Sequence, residues 1–267
     1  MKNNTRRDFI KSSAAIGSFF ILPSGLRAKA PNSKICTAHI GTGGKGRVDT
    51  VYLAKHSNVE VIGLCDVDYA HGKIDTWSKQ FKSASAFQDY REMLAKLDDK
   101  IDAVSISTPD HTHYPATMDA MERGKHIYLQ KPLTHKLKEA RQLAEFAEKK
   151  GLTTQMGIQN QSREAYRLAR HYIQEGLIGK ISKVYVWSFK TWGYDGEPFK
   201  EKSEIPESLD WNLWLGTAPK HDYVSKVYHP GQWRKLLDFG CGTLGDMGIH
   251  IFDTPFKALD LKDPKWV

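Results

Sequence analysis

Ile35-Cys36-Thr37-Ala38-His39-Ile40 runs directly into Gly41-Thr42-Gly43-Gly44-Lys45-Gly46, so an apolar run delivers the chain into a G-x-G-x-x-G turn at the entrance of a helical stretch. Each glycine answers a physical need: a tight turn at Gly41, close approach of backbone to a pyrophosphate at Gly43, and close packing of helix on strand at Gly46. Gly44 and Lys45 sit where the next helix begins, and its free N–H groups and positive dipole end favour phosphate. Twenty residues beyond Gly46 stands Asp66, closing a second apolar run from Val59 to Cys65. A carboxylate there accepts hydrogen bonds from ribose hydroxyls and repels a 2′-phosphate, so these features in this order predict a site for NAD rather than NADP. Asp68, two residues on, reinforces that preference.

Working outward, short β-branched or apolar runs alternate with helical stretches, which is the pattern of βαβ units and a parallel sheet. Strands are expected at Ile35 to Ile40, Val59 to Cys65, Ala103 to Thr108, His126 to Gln130 and Thr153 to Ile158. The clearest helix is His135 to Lys150, where Leu137, Ala140, Leu143, Ala144 and Ala147 form one apolar stripe that reads as core. After about Ser162 the rhythm changes to a helix at Arg163 to Gln174, a strand-like Ile181 to Phe189, and a Trp-, Tyr- and Pro-rich region up to Arg234. The reading is α/β: a doubly wound parallel sheet over residues 31–160, then a second domain over 161–267.

The chain has 267 residues with 39 Lys+Arg against 31 Asp+Glu, a formal charge of +8. Residues 1–30 hold six basic residues and one acidic residue, so +5 of that charge lies there and the rest of the chain carries +3. No basic run follows Lys34, which argues against a nucleic-acid partner. No stretch reaches the roughly 18 consecutive apolar residues that a membrane-spanning helix needs. Cys36, Cys65 and Cys241 match neither a zinc spacing nor a disulfide framework, and Cys36 and Cys65 read as small apolar strand residues. The first 30 residues read as a twin-arginine signal: Arg6-Arg7 within Thr5 to Lys11, an apolar run from Ala14 to Leu22, and Ala28-Lys29-Ala30 as a cleavage-like site. A periplasmic protein is the expectation.

Three further segments carry a family resemblance. Ser107-Thr108-Pro109-Asp110-His111-Thr112-His113 follows a predicted strand; Gly124-Lys125-His126-Ile127-Tyr128-Leu129-Gln130-Lys131-Pro132-Leu133 follows a helix; and residues 242–250 read G-T-L-G-D-M-G-I-H. In this order they resemble the Gfo/Idh/MocA oxidoreductases, from Lys34 to about Leu259. The resemblance implies an N-terminal Rossmann domain and a C-terminal domain with an open antiparallel sheet. It also implies a homo-oligomer in the full-length form, and hydride transfer from a secondary hydroxyl of a sugar, glycoside or polyol. Members of the family are longer, so the chain reads as C-terminally truncated, with most strands of the second sheet still to come. Two alternatives stand beside this reading: an NAD-dependent glycosidase working through a transient keto-sugar with retained cofactor, and a non-catalytic sugar-binding or assembly form.

The resemblance also distributes roles. The family's Glu-Lys-Pro motif stands here as Gln130-Lys131-Pro132, with Lys131 placed between nicotinamide and substrate to stabilise a developing alkoxide, and with a cis Lys131-Pro132 bond. A neutral amide at 130 should make the neighbouring positive charge slightly less favourable. Asp246 and His250 match the family's Asp-x-x-x-His pair and share a helix face at spacing i, i+4. His250 is expected to be the general base and Asp246 its orienter or a substrate acceptor. No convincing metal site follows from two such ligands. Thr108, Pro109 and His113 are expected to line the cofactor cleft, and Gln159 to meet nicotinamide or substrate. Trp187, Trp192, Tyr194, Tyr228, His229, Trp233 and Arg234 offer flat faces and donors for a sugar, with Trp233 and Arg234 the preferred pair.

Overall fold

The computed structural model describes residues 34–193, 196 and 201–265. The proposed signal segment, Tyr194 and the last two residues lie outside the described residues. Six parallel strands form one sheet: β1 (Ile35–Ile40), β2 (Val59–Cys65), β3 (Ser85–Phe87), β4 (Ala103–Ile106), β5 (His126–Gln130) and β6 (Thr154–Gly157), in the order β3-β2-β1-β4-β5-β6. The order reverses between β1 and β4, which leaves a crevice at their carboxyl ends, the place where doubly wound sheets bind nucleotides. Strands β1, β2 and β5 coincide with the apolar runs. β4 stops at Ile106, two residues short, because the ladder with β1 ends at Ile40 and the chain turns there into the crevice. β3 carries no sequence signal of its own, since three residues of Ser-Ala-Phe show no periodicity; pairing with Gly63, Leu64 and Cys65 of β2 makes it a strand.

The helices between strands are α1 (Gly44–Ala54), α2 (Tyr69–Gly72), α3 (Ile74–Gln80), α4 (Tyr90–Lys96), α5 (Asp110–Glu122) and α6 (Leu137–Lys150). The main core is built from Ala38, Ile40, Cys65, Val104, Ile106, Ile127 and Leu129 of the sheet with Met93, Leu94, Ala116, Ala120, Leu143 and Ala147 of the helices. In α6 the stripe is narrower than its spacing suggests: Leu143 and Ala147 are buried, whereas Leu137, in the first turn, is 72% exposed and Ala144 faces solvent. The strand Cys65 is buried as expected, while Cys36 is half-buried.

After β6 come α7 (Glu164–Gln174), α8 (Trp211–Leu215), a 3-10 turn (Gln232–Lys235), α9 (Gly242–Ile251) and α10 (Asp253–Ala258). The expected antiparallel sheet is not formed among the described residues. Residues 181–189 have the alternation of a strand but no ladder partner, and Val184, Tyr185, Trp187 and Phe189 stand exposed. A strand exists only through its neighbour's N–H and C=O groups, so alternation alone cannot make one. In its place Trp211, Trp214, Tyr223, Tyr228, Trp233 and Phe239 pack into a second, aromatic core. That core is tied to the end of β2: the Tyr69 N–H donates to Ser208 O (3.0 Å) and the Asp210 N–H to Val67 O (2.9 Å).

Candidate active site

The crevice is a cleft of about 310 Å³ walled on one side by Gly41, Gly43, Gly44, Lys45 and Asp66, with Thr108 and Pro109 adjoining, and on the other by Trp214, His229, Trp233 and Arg234. Two of the glycines are sterically compulsory. Gly41 has φ +78°, and a Cβ on Gly46 would lie 1.7 Å from the Gly41 carbonyl oxygen. Asp66 is buried and turns inward: its Oδ2 accepts the N–H groups of Thr42 (2.9 Å) and Gly43 (3.0 Å), and its Oδ1 that of Asp68 (3.0 Å). A carboxylate has about four lone-pair sites, so three are spent on bracing the turn and one remains for a hydroxyl in the cleft. Burial raises the Asp66 pKa against those N–H donors. Lys45 also differs from a simple phosphate contact, since its ammonium pairs with Asp49 one turn further along α1.

Beside the glycine turn lies a cluster the sequence did not assemble. Asp68 caps α2 through Oδ1, which accepts the N–H groups of Ala70 and His71 and the Ser208 hydroxyl (2.8 Å). Its Oδ2 meets His229 Nε2 at 3.1 Å. The Trp214 indole donates to His229 Nδ1 (3.3 Å), which leaves Nε2 as the nitrogen that carries the proton toward Asp68. Burial alone would raise the Asp68 carboxyl, but the bonds from His229, the His71 N–H and Ser208 outweigh it and hold it well below the usual carboxylate range. Thus His229, read from sequence as a sugar donor, fastens the aromatic core to the nucleotide end of the cleft.

The second cluster centres on Asp246 of α9. Lys131 Nζ donates to its Oδ1 (2.7 Å) and to its backbone carbonyl (2.9 Å), Arg234 Nε to Oδ1 (3.3 Å), and the Trp192 indole to Oδ2 (2.8 Å). The Arg234 guanidinium also lies 4.2 Å from the centre of the Trp233 ring and 5.7 Å from that of Trp192. Burial works against the Asp246 charge, but the Lys131 bond and charge, followed by those of Arg234, lower its pKa overall. The expected pairing of Asp246 with His250 is therefore corrected: the carboxylate holds Lys131, Arg234 and Trp192. Two cations compete successfully for its lone pairs, whereas a half-buried neutral imidazole does not.

Other expected positions divide. Thr108, Pro109, Trp233 and Arg234 do line the cleft, with Trp233 almost wholly buried in the aromatic core. Lys131 and Asp246 are not on its wall; Asp246 stands one hydrogen bond beyond Arg234, and Lys131 one further. His250 faces a separate shallow pocket of about 290 Å³ with Tyr166, Tyr185 and Trp187. Its Nδ1 is buried without a partner among the described residues, and burial followed by the Lys131 charge lowers its pKa. His113 does not line the cleft: it is fully buried, with Nδ1 2.8 Å from Pro132 O and Nε2 2.9 Å from Thr108 O, bracketing the two loops from below. Gln159 is exposed in the 3-10 turn after β6 and is not brought to the cleft, because the turn carries it outward from the strand end. The Lys131-Pro132 bond is cis, as expected. Among the described residues no three His, Cys, Asp or Glu side chains gather as metal ligands, and no helix is long and apolar enough to cross a membrane.

Sequence reasoning missed Asp49, Ser107, Ser208 and Trp214. Only Asp49 left a trace, as an acidic residue four positions after Lys45 on a helix face.

A parallel sheet wound in this order with a glycine cradle at its switch point defines a dinucleotide-binding domain, and a nearly buried lysine-carboxylate pair lies beside it. Residues 35–158 match the family model described as "Oxidoreductase family, NAD-binding Rossmann fold", GFO_IDH_MocA, and residues 165–265 match its C-terminal alpha/beta domain. The chain belongs to the Gfo/Idh/MocA oxidoreductase family. It is 26% identical over 177 residues to levoglucosan dehydrogenase of Pseudarthrobacter phenanthrenivorans, covering 66% of this chain and 37% of that protein. It is 34% identical over 140 residues to scyllo-inositol 2-dehydrogenase (NAD(+)) of Bacillus subtilis, covering 51% and 40%. Among solved structures, GenD2 from gentamicin A biosynthesis in complex with NAD is similar at TM-score 0.50 and 25% identity, covering 57% of this chain and 42% of that one. The matched part of this chain thus spans less than half the length of these relatives. NAD is the cofactor, and the residues fit it: a Cβ at Gly41 or Gly46 would collide with the backbone that shapes the turn, and Asp66 lines the cleft beside that turn.

Proposed function

We propose that the chain serves NAD-dependent oxidation of a secondary hydroxyl on a sugar, glycoside or polyol, with Lys131 as the electrostatic catalyst. The observation that carries this reading is the Lys131–Asp246 pair, 2.7 Å apart and nearly buried, one hydrogen bond from the wall of the NAD cleft. Bound NAD supplies a hydride acceptor. The protein's part is to hold a fixed ammonium where an alkoxide develops, in a low-dielectric site where such a charge acts strongly. His250, whose pKa is lowered by burial and then by the Lys131 charge, is suited to take the hydroxyl proton, although it opens on the neighbouring shallow pocket and not on the cleft wall. Arg234, on the cleft wall, supplies donors for the ring that carries that hydroxyl. The relatives named as levoglucosan and inositol dehydrogenases support this substrate class.

The test is NADH formation from a panel of polyols, anhydrosugars and glucosides by protein shown beforehand to bind NAD. Binding without turnover of any of them would overturn the reading. We further propose export by the twin-arginine route, supported by Arg6-Arg7 and the apolar run after them. Retention of the chain in the cytoplasm of a host with that route intact would refute it.

A further inference from the structure

We propose that Asp49 and Gln130 form a positioning pair that locks the Lys131 loop to the pyrophosphate-binding helix, and that position 130 is an amide because the Asp49 carboxylate stands opposite it. This rests on the reading of Lys131 given above. Asp49 is 4% exposed and lies on α1, one turn after the glycine cradle. Its Oδ1 pairs with Lys45, while its Oδ2 accepts the Ser107 hydroxyl (2.9 Å) and the Gln130 side-chain N–H (2.9 Å). One carboxylate therefore joins the helix after β1, the loop after β4 and the last residue of β5, immediately before Lys131.

The amide is matched at both ends. Its nitrogen faces an acceptor-only carboxylate, and its oxygen accepts the Lys131 backbone N–H at 3.2 Å. A flipped amide would set oxygen against oxygen and N–H against N–H. The amide packs against Gly157 of β6, where a Cβ would lie 2.5 Å from the Gln130 nitrogen and 2.9 Å from the Tyr128 hydroxyl, so glycine there leaves the space that the amide fills. Burial and then the Asp49 charge push Tyr128 up to about 12, so the phenol beside the pair stays neutral. A glutamate at 130 would face Asp49 carboxylate to carboxylate in a dry site, and two such groups cannot both remain ionised. An amide resolves this while keeping the backbone of Lys131 in register with the nucleotide cradle.

The experiment compares wild type with Gln130→Glu, Asp49→Asn and the Asp49→Asn/Gln130→Glu double variant, by calorimetric NAD titration, thermal unfolding and separate kcat and KM. Gln130→Glu is expected to weaken NAD by about tenfold or more and to lower kcat with little change in substrate KM. The double variant, with donor and acceptor exchanged, should return to within about threefold of wild type in NAD affinity. If Gln130→Glu does not fold, Gln130→Met decides: loss of NAD affinity and kcat in a folded protein supports the pair, and wild-type values overturn it. A double variant no better than the worse single one also overturns it. Wild type that fails to turn over any hydroxyl substrate sinks the functional reading instead, and wild type that works with no coupling between 49 and 130 sinks only this pair.

Discussion

Lys131 is the residue on which most of the proposed chemistry rests, and its surroundings make its charge readable at a neighbour. Burial and then the Lys131 cation hold His250 below its ordinary 6.5. Replacing Lys131 by Met is expected to raise the His250 pKa, because the repelling charge is gone, and an NMR titration of the imidazole C–H signals measures that directly. The same variant should lose roughly 10²–10³-fold in kcat while retaining NAD; an unmoved His250 together with normal turnover would remove Lys131 from the site. Asp246→Asn leaves two cations sharing a neutral amide in a nearly buried place. It should cost on the order of 3 kcal/mol in urea unfolding, and a variant as stable as wild type would show that the cluster is better hydrated than its burial indicates.

Among the elements, the turn into α1 has the tightest backbone approach at a described glycine. A methyl group on Gly46 would collide with the Gly41 carbonyl, and relieving that contact must shift the cradle. Gly46→Ala is expected to lose about 1–3 kcal/mol of stability and measurable NAD binding, checked by thermal unfolding and calorimetry. The cap of α2 adds a pH dependence. Asp68 has a folded pKa below its unfolded one, so the native state binds fewer protons at moderately acid pH. The stability it contributes is complete above the unfolded value near 4 and is lost as pH falls from there through the lowered folded value. Asp68→Asn should flatten the stability–pH curve between about pH 5 and pH 2; an unchanged slope would place the acid sensitivity elsewhere. Such sensitivity bears on function because the same carboxylate ties Ser208 and His229, and with them the aromatic core, to the nucleotide end of the cleft.

For the whole molecule, the cleft is closed by residues distant in sequence, so ligand binding and folding are linked. NAD at 100 times its Kd should stabilise the protein by about 2.7 kcal/mol, and NADP by much less, because the single free lone pair of Asp66 suits a hydroxyl and the buried carboxylate opposes a phosphate. Thermal unfolding in the two nucleotides measures the difference. Asp66→Ala is expected to reduce the discrimination and also to weaken NAD, since the turn N–H groups of Thr42 and Gly43 lose their acceptor. Equal shifts by the two nucleotides in wild type would contradict the role assigned to Asp66.

The amino-acid sequence determined the winding of the sheet, the glycine cradle and Asp66, because each is a local pattern: alternating runs, fixed glycine spacing, and a carboxylate at the end of β2; Lys131 came from the family resemblance of its Gln-Lys-Pro motif. It did not reveal β3, whose three residues become a strand only against β2, nor could it forbid a strand at residues 181–189, whose alternation finds no ladder partner among the described residues. Tertiary structure alone decided which charges meet. Asp246 lies four residues from His250 yet belongs to Lys131, 115 positions away, because a buried carboxylate takes the strongest donors that packing brings to it. His113 and His229 moved from the cleft wall and the sugar site to structural brackets for the same reason: ring nitrogens are claimed by whichever carbonyls and carboxylates the fold sets within hydrogen-bond reach.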